Sequence, residues 1–282
     1  MIRIGHVQAI SKSGDFEANL AKVVAGLERA DRERVEIVSF PECFLTGYQD
    51  DGERARRHAF AVDSPSMMRV LDAAARFDAT LIVGFNEIRG PDLYNTALVA
   101  RKGHLLGVYS KCFAYMPFHK QGRDFPVFER SGVKFGIVIC ADGGYVEPAR
   151  ILALKGAKII FSPHYNYMPK DALLGHFMQV RADHVARAVE NGVYFVRGNN
   201  VIQGKDTGLL KGDGVGYGDS YVVDPNGEIL IRSRRHVEDF IFLDLDPDLR
   251  PRGTDRSRTS IRELNEQLIA AAKHGGRLAT KD

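Results

Sequence analysis

A cysteine at the end of an apolar run is the residue of this sequence best placed to act as a nucleophile. Cys140 follows the run Lys134–Ile139 and precedes Ala141, Asp142 and two glycines. A strand that turns sharply into a helix presents the side chain at the turn above the edge of the sheet, as in the nucleophile elbow of hydrolases. The glycines permit a tight turn, and we expect the N-terminus of the next helix to lower the pKa of the thiol. Since most free cysteines are buried core residues, this pattern alone does not identify a catalytic thiol.

Two further segments add the groups that a cysteine nucleophile needs. Glu42 follows the strand-like run Val35–Phe40, at the end of a strand where α/β sheets gather their ligands. Lys111 ends a second extended run, Val108–Ser110. Each charge alone is typical of a solvated surface. With Cys140 they supply a base, an electrophilic stabiliser and a nucleophile, which is the set required for thiol-dependent amide hydrolysis.

Other motifs do not indicate a metal or a cofactor. The three cysteines lie far apart in the sequence, so they form neither a disulfide framework nor a C-x-x-C site. His164 and His176 lack partners at ligand spacing. The glycine-rich stretch Gly212–Gly218 leads into a strand and not into a helix, which favours a surface loop over a phosphate-binding loop.

The composition is that of an ordinary globular protein. Of 282 residues, 44% are hydrophobic and 27% charged, and the net charge of +3 creates no strong field that would attract nucleic acid or anionic lipid. No apolar run approaches the roughly 18 residues of a membrane helix. The first residues, Ile2–Val7, have the pattern of a strand and not of a secretory leader. We therefore expect a cytoplasmic protein without a nucleic-acid or membrane partner.

Short apolar runs alternate with amphipathic stretches, which predicts an α/β fold. The predicted strands are Ile2–Gln8, Val35–Phe40, Thr80–Asn86, Asn95–Ala100, Val133–Cys140, Lys158–Ser162, Gly192–Arg197, Ser220–Val223 and Asp239–Leu245. The predicted helices run from Asp15 to Arg29, from Ser64 onward, from Glu147 to Gly156 and from Asp171 to Glu190.

No composition step or linker divides the chain, so residues 1–250 are predicted to form a single domain. Residues 251–282 are polar and predicted to be a C-terminal extension with a short helix. Ile261, Leu264, Leu268 and Ile269 fall on one side of that helix, which packs either on its own domain or at a subunit interface.

The ordered motifs resemble the nitrilase superfamily, the carbon–nitrogen hydrolases, from Ile2 to about Leu245. The matching stretches are Phe40–Glu42 with Thr46–Tyr48, Tyr109–Lys111, Gly136–Asp142 running on to Ala157, Arg181–Tyr194 and Ser220–Gly227. The resemblance implies a four-layer αββα sandwich and a homodimer or larger homo-oligomer. It also implies a triad of Glu42, Lys111 and Cys140.

The resemblance further implies a mechanism. Glu42 takes the proton of Cys140, whose thiolate attacks an amide-like carbon, while Lys111 and the backbone N–H of Ala141 hold the oxyanion. Ammonia or an amine leaves, and water or another acceptor then takes the acyl group from the thioester. We expect a small linear amide or an N-carbamoyl compound as substrate, because Cys140 is not followed by the Trp-Glu pattern associated with true nitrilases. A nitrilase and a catalytically weakened binding or regulatory homologue are the alternatives.

The sequence departs from the family pattern after the lysine. A second glutamate is usual there, but residues 112–123 contain no carboxylate. His119 and Gln121 are the nearest polar substitutes. A histidine with a pKa near neutrality could orient Lys111 or activate the deacylating water, and an exposed loop histidine is the equally simple alternative.

Three residues are further candidates for contact with the substrate. Tyr165 and Asn166 follow the predicted strand Lys158–Ser162, and Tyr48 belongs to a matching motif. Cys43 and Cys112 are poorer nucleophiles than Cys140. Each directly follows a proposed catalytic residue in a segment predicted to be extended, so its side chain should point to the opposite face.

Overall fold

The computed structural model describes residues 1–202, 214–249, 251–252 and 262–273. The strands in this part of the chain are β1 (Ile2–Gln8), β2 (Ile37–Ser39), β3 (Thr80–Arg89), β4 (Asp92–Arg101), β5 (His104–Ser110), β6 (Val127–Arg130), β7 (Val133–Ile137), β8 (Ile159–Pro163), β9 (Met168–Pro169), β10 (Tyr194–Gly198), β11 (Gly214–Val215), β12 (Tyr221–Val223), β13 (Ile229–Arg232) and β14 (Asp239–Leu245). The helices are α1 (Phe16–Arg32), α2 (Gly52–His58), α3 (Pro65–Ala74), α4 (Val146–Leu154), α5 (Leu173–Asn191) and α6 (Arg262–Lys273).

Two six-stranded sheets form the centre of the fold. The first sheet has the order β14-β1-β2-β3-β4-β5, and the second has the order β13-β12-β10-β8-β7-β6. Each contains three neighbouring parallel strands, β1, β2 and β3 in the first and β7, β8 and β10 in the second. Since parallel strands gather loops at their carboxyl ends, each sheet offers one edge suited to a site.

The packing of alternate side chains produces four layers. Ile37 of β2 points into the core between the two sheets, where it joins Ile137 of β7, whereas Val38 points the other way. Val38 packs with α1 and α3 on the outer face of the first sheet. The second sheet is covered in the same way by α4 and α5, through Leu152 and Ala188. The predicted αββα sandwich is therefore confirmed.

Helix ends follow the signals in the sequence. The Asp15 side chain accepts a hydrogen bond from Ala18 N at 3.0 Å at the start of α1, and Ser64 accepts from Met67 N at 3.3 Å at the start of α3. Helix α5 ends at Gly192, whose φ of 62° is left-handed. Helix α2 was not predicted, because its one buried residue, Ala55, leaves the helix without an apolar stripe.

Residues 214–218 of the glycine-rich stretch do not form a surface loop. Residues 212 and 213 lie outside the described residues, but residues 216–220 are buried and lead into β12, and the Tyr217 side chain is fully enclosed. The short sheet β9–β11 carries the chain into this position. Glycine here lets the backbone pass close to other side chains, since a Cβ on Gly216 would stand 2.5 Å from Ile202.

The apolar side of the late helix is open to solvent in this structure. Leu264, Leu268 and Ile269 on α6 are half exposed or more, and Ile261 lies outside the described residues. A subunit contact through this helix and a domain boundary at residue 250 stay predictions. No described helix combines the length and apolar character needed to cross a bilayer.

We expect a methyl group at Gly84 both to destabilise the fold and to displace the backbone of Glu42. A Cβ on this β3 residue would lie 2.4 Å from Cys43 N and 3.0 Å from Glu42 C, so the backbone must move. Gly84→Ala should lower the free energy of unfolding by about 2 kcal/mol, measured by urea denaturation. Gly175→Ala on α5 is the matched control: nothing lies within 4 Å of its Cβ, so it should raise stability by about 0.5–1 kcal/mol. Equal stability of the two variants would contradict this account.

Candidate active site

The loops that carry the three candidate catalytic residues meet where the two sheets adjoin. Glu42 follows β2 and Lys111 follows β5 in the first sheet, whereas Cys140 follows β7 in the second. The Glu42 N–H donates to the carbonyl oxygen of His164, which follows β8, at 3.3 Å. This bond joins the first sheet to the second beside the candidate site.

Glu42 and Lys111 form a buried ion pair. Lys111 Nζ lies 2.7 Å from Glu42 Oε1, and each side chain is only 1% exposed. Asn95 Nδ2 donates to the same carboxylate oxygen at 2.6 Å, and Tyr165 N donates to Oε2 at 2.9 Å. Burial alone would lower the pKa of Lys111, but the negative charge of Glu42, with smaller effects of Cys140 and Asp142, raises it overall. The lysine therefore stays cationic at neutral pH.

Cys140 sits on a strained elbow. Strand β7 ends at Ile137, earlier than predicted, and residues Cys140–Gly144 form one 3₁₀ turn ahead of α4. The backbone of Cys140 has a φ of +48°, in the left-handed region that side chains other than glycine rarely adopt. Strain of this kind is concentrated at functional sites.

The expectation of a lowered thiol pKa was wrong. Burial first, and then the negative charge of Glu42, raise the pKa of Cys140 to about 12, against smaller opposite effects of Lys111 and Arg197. Helix α4 begins only at Val146, so it contributes little at the sulfur. The resting thiol is protonated at neutral pH, and a base must take its proton before it can attack.

Asp142 holds the elbow against the lysine loop. Its carboxylate is fully buried and accepts hydrogen bonds from Ile139 N at 2.9 Å, from Phe113 N at 2.7 Å and from the Tyr109 hydroxyl at 2.6 Å. The contacts tie residues on both sides of Lys111 to the turn that carries Cys140. This role of Asp142 was not predicted, although an acidic residue two positions after a candidate nucleophile at the end of an apolar run is a usable signal.

A cavity of about 560 Å³ opens in front of these groups. The predicted residues that line it are Lys111, Cys140, Ala141, Tyr48, Tyr165 and Asn166. The rings of Tyr48 and Tyr165 stack with centroids 4.7 Å apart, and Asn166 Nδ2 lies 3.8 Å from Cys140 Sγ. The cavity thus brings an amide donor and two aromatic faces to the thiol.

His119 lies apart from this lining. It is 7% exposed, its Nε2 is 2.9 Å from Asn86 Oδ1, and it is not among the described residues that line the cavity. Burial, with a smaller contribution from Lys111, lowers its pKa to about 3, so the expectation of a pKa near neutrality was wrong. Gln121 is exposed and bonded to Arg123. Because His119 is buried, it is not an exposed loop histidine, and a role in orienting Lys111 or in activating water stays a prediction.

The other two cysteines are held elsewhere. Cys43 is in a turn with a φ of 51° and not in an extended segment, and it is buried against Tyr48 and Tyr165. Cys112 Sγ is contacted by Arg123 Nη1 at 3.5 Å. Neither thiol lines the cavity within the described residues.

The chain belongs to the carbon-nitrogen hydrolase family. The family profile matches residues 3–251, which is most of the sequence. The protein is therefore a hydrolase of the nitrilase superfamily, with the two-sheet sandwich and the buried acid–lysine pair described above.

Its relatives include amidases, nitrilases and a synthetase. The chain is 28% identical over 255 residues to a nitrilase from Pyrococcus abyssi, covering 87% of this chain and 90% of that protein. It is 27% identical over 249 residues to an (R)-stereoselective amidase from a Pseudomonas species, covering 87% and 86%. A glutamine-dependent NAD(+) synthetase from Thermotoga maritima is 28% identical over 88% of this chain, which spans only 42% of that relative.

The fold is shared with an amidase of solved structure. The amidase from Nesterenkonia sp. AN1 superposes with a TM-score of 0.76 at 23% identity, covering 95% of this chain and 100% of that chain.

We expect His119 to contribute to acid sensitivity. In the folded protein its pKa is about 3, whereas the unfolded chain takes up the proton below the ordinary value of 6.5. Between these two values the unfolded state binds more protons than the folded state. The contribution of the neutral His119 to stability is therefore complete above pH 6.5 and is lost as the pH falls toward 3. When the pH is lowered from about 7 to about 5, the free energy of unfolding of the parent should fall by about 2 kcal/mol more than that of His119→Gln.

Urea denaturation at both pH values measures the difference. His104→Gln, at an exposed position on β5, is the matched control and should follow the parent. Identical pH dependence of the parent and His119→Gln would show that the histidine is not held neutral.

Proposed function

We propose that this protein hydrolyses a small linear amide or N-carbamoyl compound through a thioester on Cys140. The observation that carries the proposal is the Glu42 carboxylate, held by Lys111 at 2.7 Å beside a thiol whose pKa is raised to about 12. Such a thiol is inert without a base, and Glu42 is the carboxylate that contributes to its pKa.

The first half-reaction forms the thioester. Glu42 takes the proton of Cys140 through the second lone pair of Oε2, since among the described residues that oxygen accepts one hydrogen bond, from Tyr165 N. The thiolate attacks the carbonyl carbon, and the oxyanion is held by the Lys111 ammonium and the Ala141 N–H. The C–N bond then breaks, and protonated Glu42 returns the proton to the leaving nitrogen, which departs as ammonia or an amine.

The second half-reaction regenerates the thiol. Water enters the position left by the amine and gives a proton to Glu42 while its oxygen attacks the thioester carbon. The C–S bond breaks, the acid leaves, and the proton returns from Glu42 to sulfur. Each donor to the oxyanion is expected to contribute about 3 kcal/mol to lowering the barrier.

Similarity to known amidases supports the choice of an amide. The (R)-stereoselective amidase covers most of the chain at 27% identity, and the amidase from Nesterenkonia sp. AN1 shares the fold. In one solved structure of a variant of that amidase, the acetamide moiety of fluoroacetamide is covalently added at the active-site cysteine. That cysteine therefore reacts as a nucleophile with a small amide compound. We propose that Cys140 is likewise a nucleophile, with the carbonyl carbon of a small amide as its electrophile.

Activity should depend on Cys140 and Glu42 but not on Cys112. Ammonia release would be measured across a panel of aliphatic amides, N-carbamoyl amino compounds and nitriles. We expect Cys140→Ser and Glu42→Gln each to lower kcat by about 10³-fold or more, since removing one member of a catalytic set costs on this order. Cys112→Ser is the matched control, because that thiol lies outside the cavity lining, and it should retain parental activity.

Mass spectrometry of acid-quenched reactions adds a direct readout. The mass of the acyl group should appear on the peptide that contains Cys140. Turnover of nitriles alone would replace the amidase proposal by a nitrilase. Ammonia release that survives in Cys140→Ser would overturn the thioester mechanism.

A further inference from the structure

Arg197 is buried behind the candidate active site, and none of the carboxylates in the described part of the chain pairs with it. The side chain, on β10, is 1% exposed. Its Nη1 donates to the carbonyl oxygens of Gly218 at 3.1 Å and Asp219 at 2.5 Å, and its Nη2 donates to Asn166 Oδ1 at 2.6 Å and the Tyr217 hydroxyl at 2.8 Å. Nε finds no hydrogen-bond partner among the residues that the structure describes. Within that part of the chain, every acceptor of this cation is thus a neutral group.

The charge of Arg197 is therefore not neutralised by its surroundings. Among the described residues none places a carboxylate oxygen within 4.0 Å of its guanidinium, and the nearby Asp219 carboxylate pairs instead with Arg181 and Arg235. The Tyr217 ring lies 5.4 Å from the guanidinium carbon. Burying an unpaired cation is costly, so a fold that retains one keeps a positive potential at that place.

Arg197 also fixes the orientation of Asn166. Because a guanidinium only donates hydrogen bonds, Asn166 must turn its oxygen toward Arg197. The amide nitrogen then faces the opposite way, where Nδ2 lies 3.8 Å from Cys140 Sγ. The backbone N–H of Asn166 is held by Asn199 Oδ1 at 3.1 Å and Asn200 Oδ1 at 2.8 Å. An amide whose oxygen binds a cation is polarised, which strengthens its N–H as a donor.

We propose that Arg197 is a positioning residue that aims the Asn166 amide N–H at the sulfur of Cys140 and supplies the positive charge that stabilises the thiolate. The proposal rests on the proposed function in one respect, that Cys140 is the nucleophile. Arg197 does not line the cavity within the described residues, so it acts through Asn166 and not on the substrate.

Other charged and titratable groups also act on the thiol, and the test must separate the effect of Arg197 on Cys140 ionisation from theirs. Glu42 opposes ionisation of Cys140, and Lys111 favours it. Cys43, Tyr48 and Tyr217 also interact electrostatically with the thiol, and all three are neutral at physiological pH because burial raises the pKa of each side chain. Arg197 favours ionisation of the thiol in the same direction as Lys111.

The test is the pH dependence of Cys140 alkylation by iodoacetamide, followed by peptide mapping so that Cys43 and Cys112 do not contribute. Arg197→Gln removes the cation, and Asn166→Asp replaces the donor to sulfur by a carboxylate while keeping its size. We expect either change to lower the rate constant for Cys140 at neutral pH by about tenfold or more, because each unit of rise in the thiol pKa reduces the thiolate tenfold. The rate–pH profile should shift to higher pH in both variants.

Two further variants separate positioning from structural support. Arg197→Lys keeps the charge and should recover part of the rate. Tyr221→Phe removes a buried hydroxyl that is bonded to His184 at 2.8 Å but leaves the ring over Arg197, so its profile should match the parent. If Arg197→Gln does not fold, Asn166→Asp carries the test. Profiles of Asn166→Asp and Arg197→Gln that overlay the parent would overturn the proposal.

The readout does not depend on the substrate. If the variants shift the alkylation profile but the parent releases no ammonia from any amide, the role of Arg197 stands and the proposed function is wrong. If the parent is an active amidase but the variants have the parental profile, the proposed function stands and the role of Arg197 is wrong.

Discussion

The buried contact between Lys111 and Glu42 is the constraint on which the site depends. Each of the two charges is only 1% exposed, and removing either partner would leave the other as a buried ion without its counter-charge, which is costly. One partner follows β2 and the other follows β5, at opposite ends of a four-strand stretch of the first sheet. A slip in the register of that sheet would separate the pair. The acid and the lysine are thereby set in place by the pairing of the strands themselves.

The second sheet brings the sulfur and a second cation to this pair. Lys111 and Arg197 both favour ionisation of Cys140, whereas burial and Glu42 oppose it. In the proposed reaction, proton transfer to Glu42 neutralises the carboxylate at the moment when the sulfur becomes negative. The thiolate then experiences two positive charges and no negative one from these side chains. A thiol that is protonated in the resting enzyme, and whose thiolate is stabilised only during the reaction, is protected from oxidation because oxidants react with the thiolate.

Local patterns in the sequence predicted much of the fold and the three candidate catalytic residues. The caps at Asp15 and Ser64 act within one helical turn, and the alternation of residues along a strand is equally local, so the sequence is enough to predict both. The pKa values of Cys140 and His119 could not be predicted in this way, because both depend on burial by elements that are distant in the chain. The role of Arg197 was not predicted for a related reason. An arginine in an apolar strand gives the same sequence pattern whether its side chain reaches solvent or is buried.

The left-handed backbone at Cys140 has a consequence for the history of the chain. Glycine adopts a φ of +48° without penalty, whereas any residue with a side chain pays about 1–2 kcal/mol there. Stability and reactivity thus favour different residues at one position. A descendant that no longer used its thiol could replace this residue by glycine and remove the backbone penalty, so a side chain kept at this position points to a reaction that is still maintained.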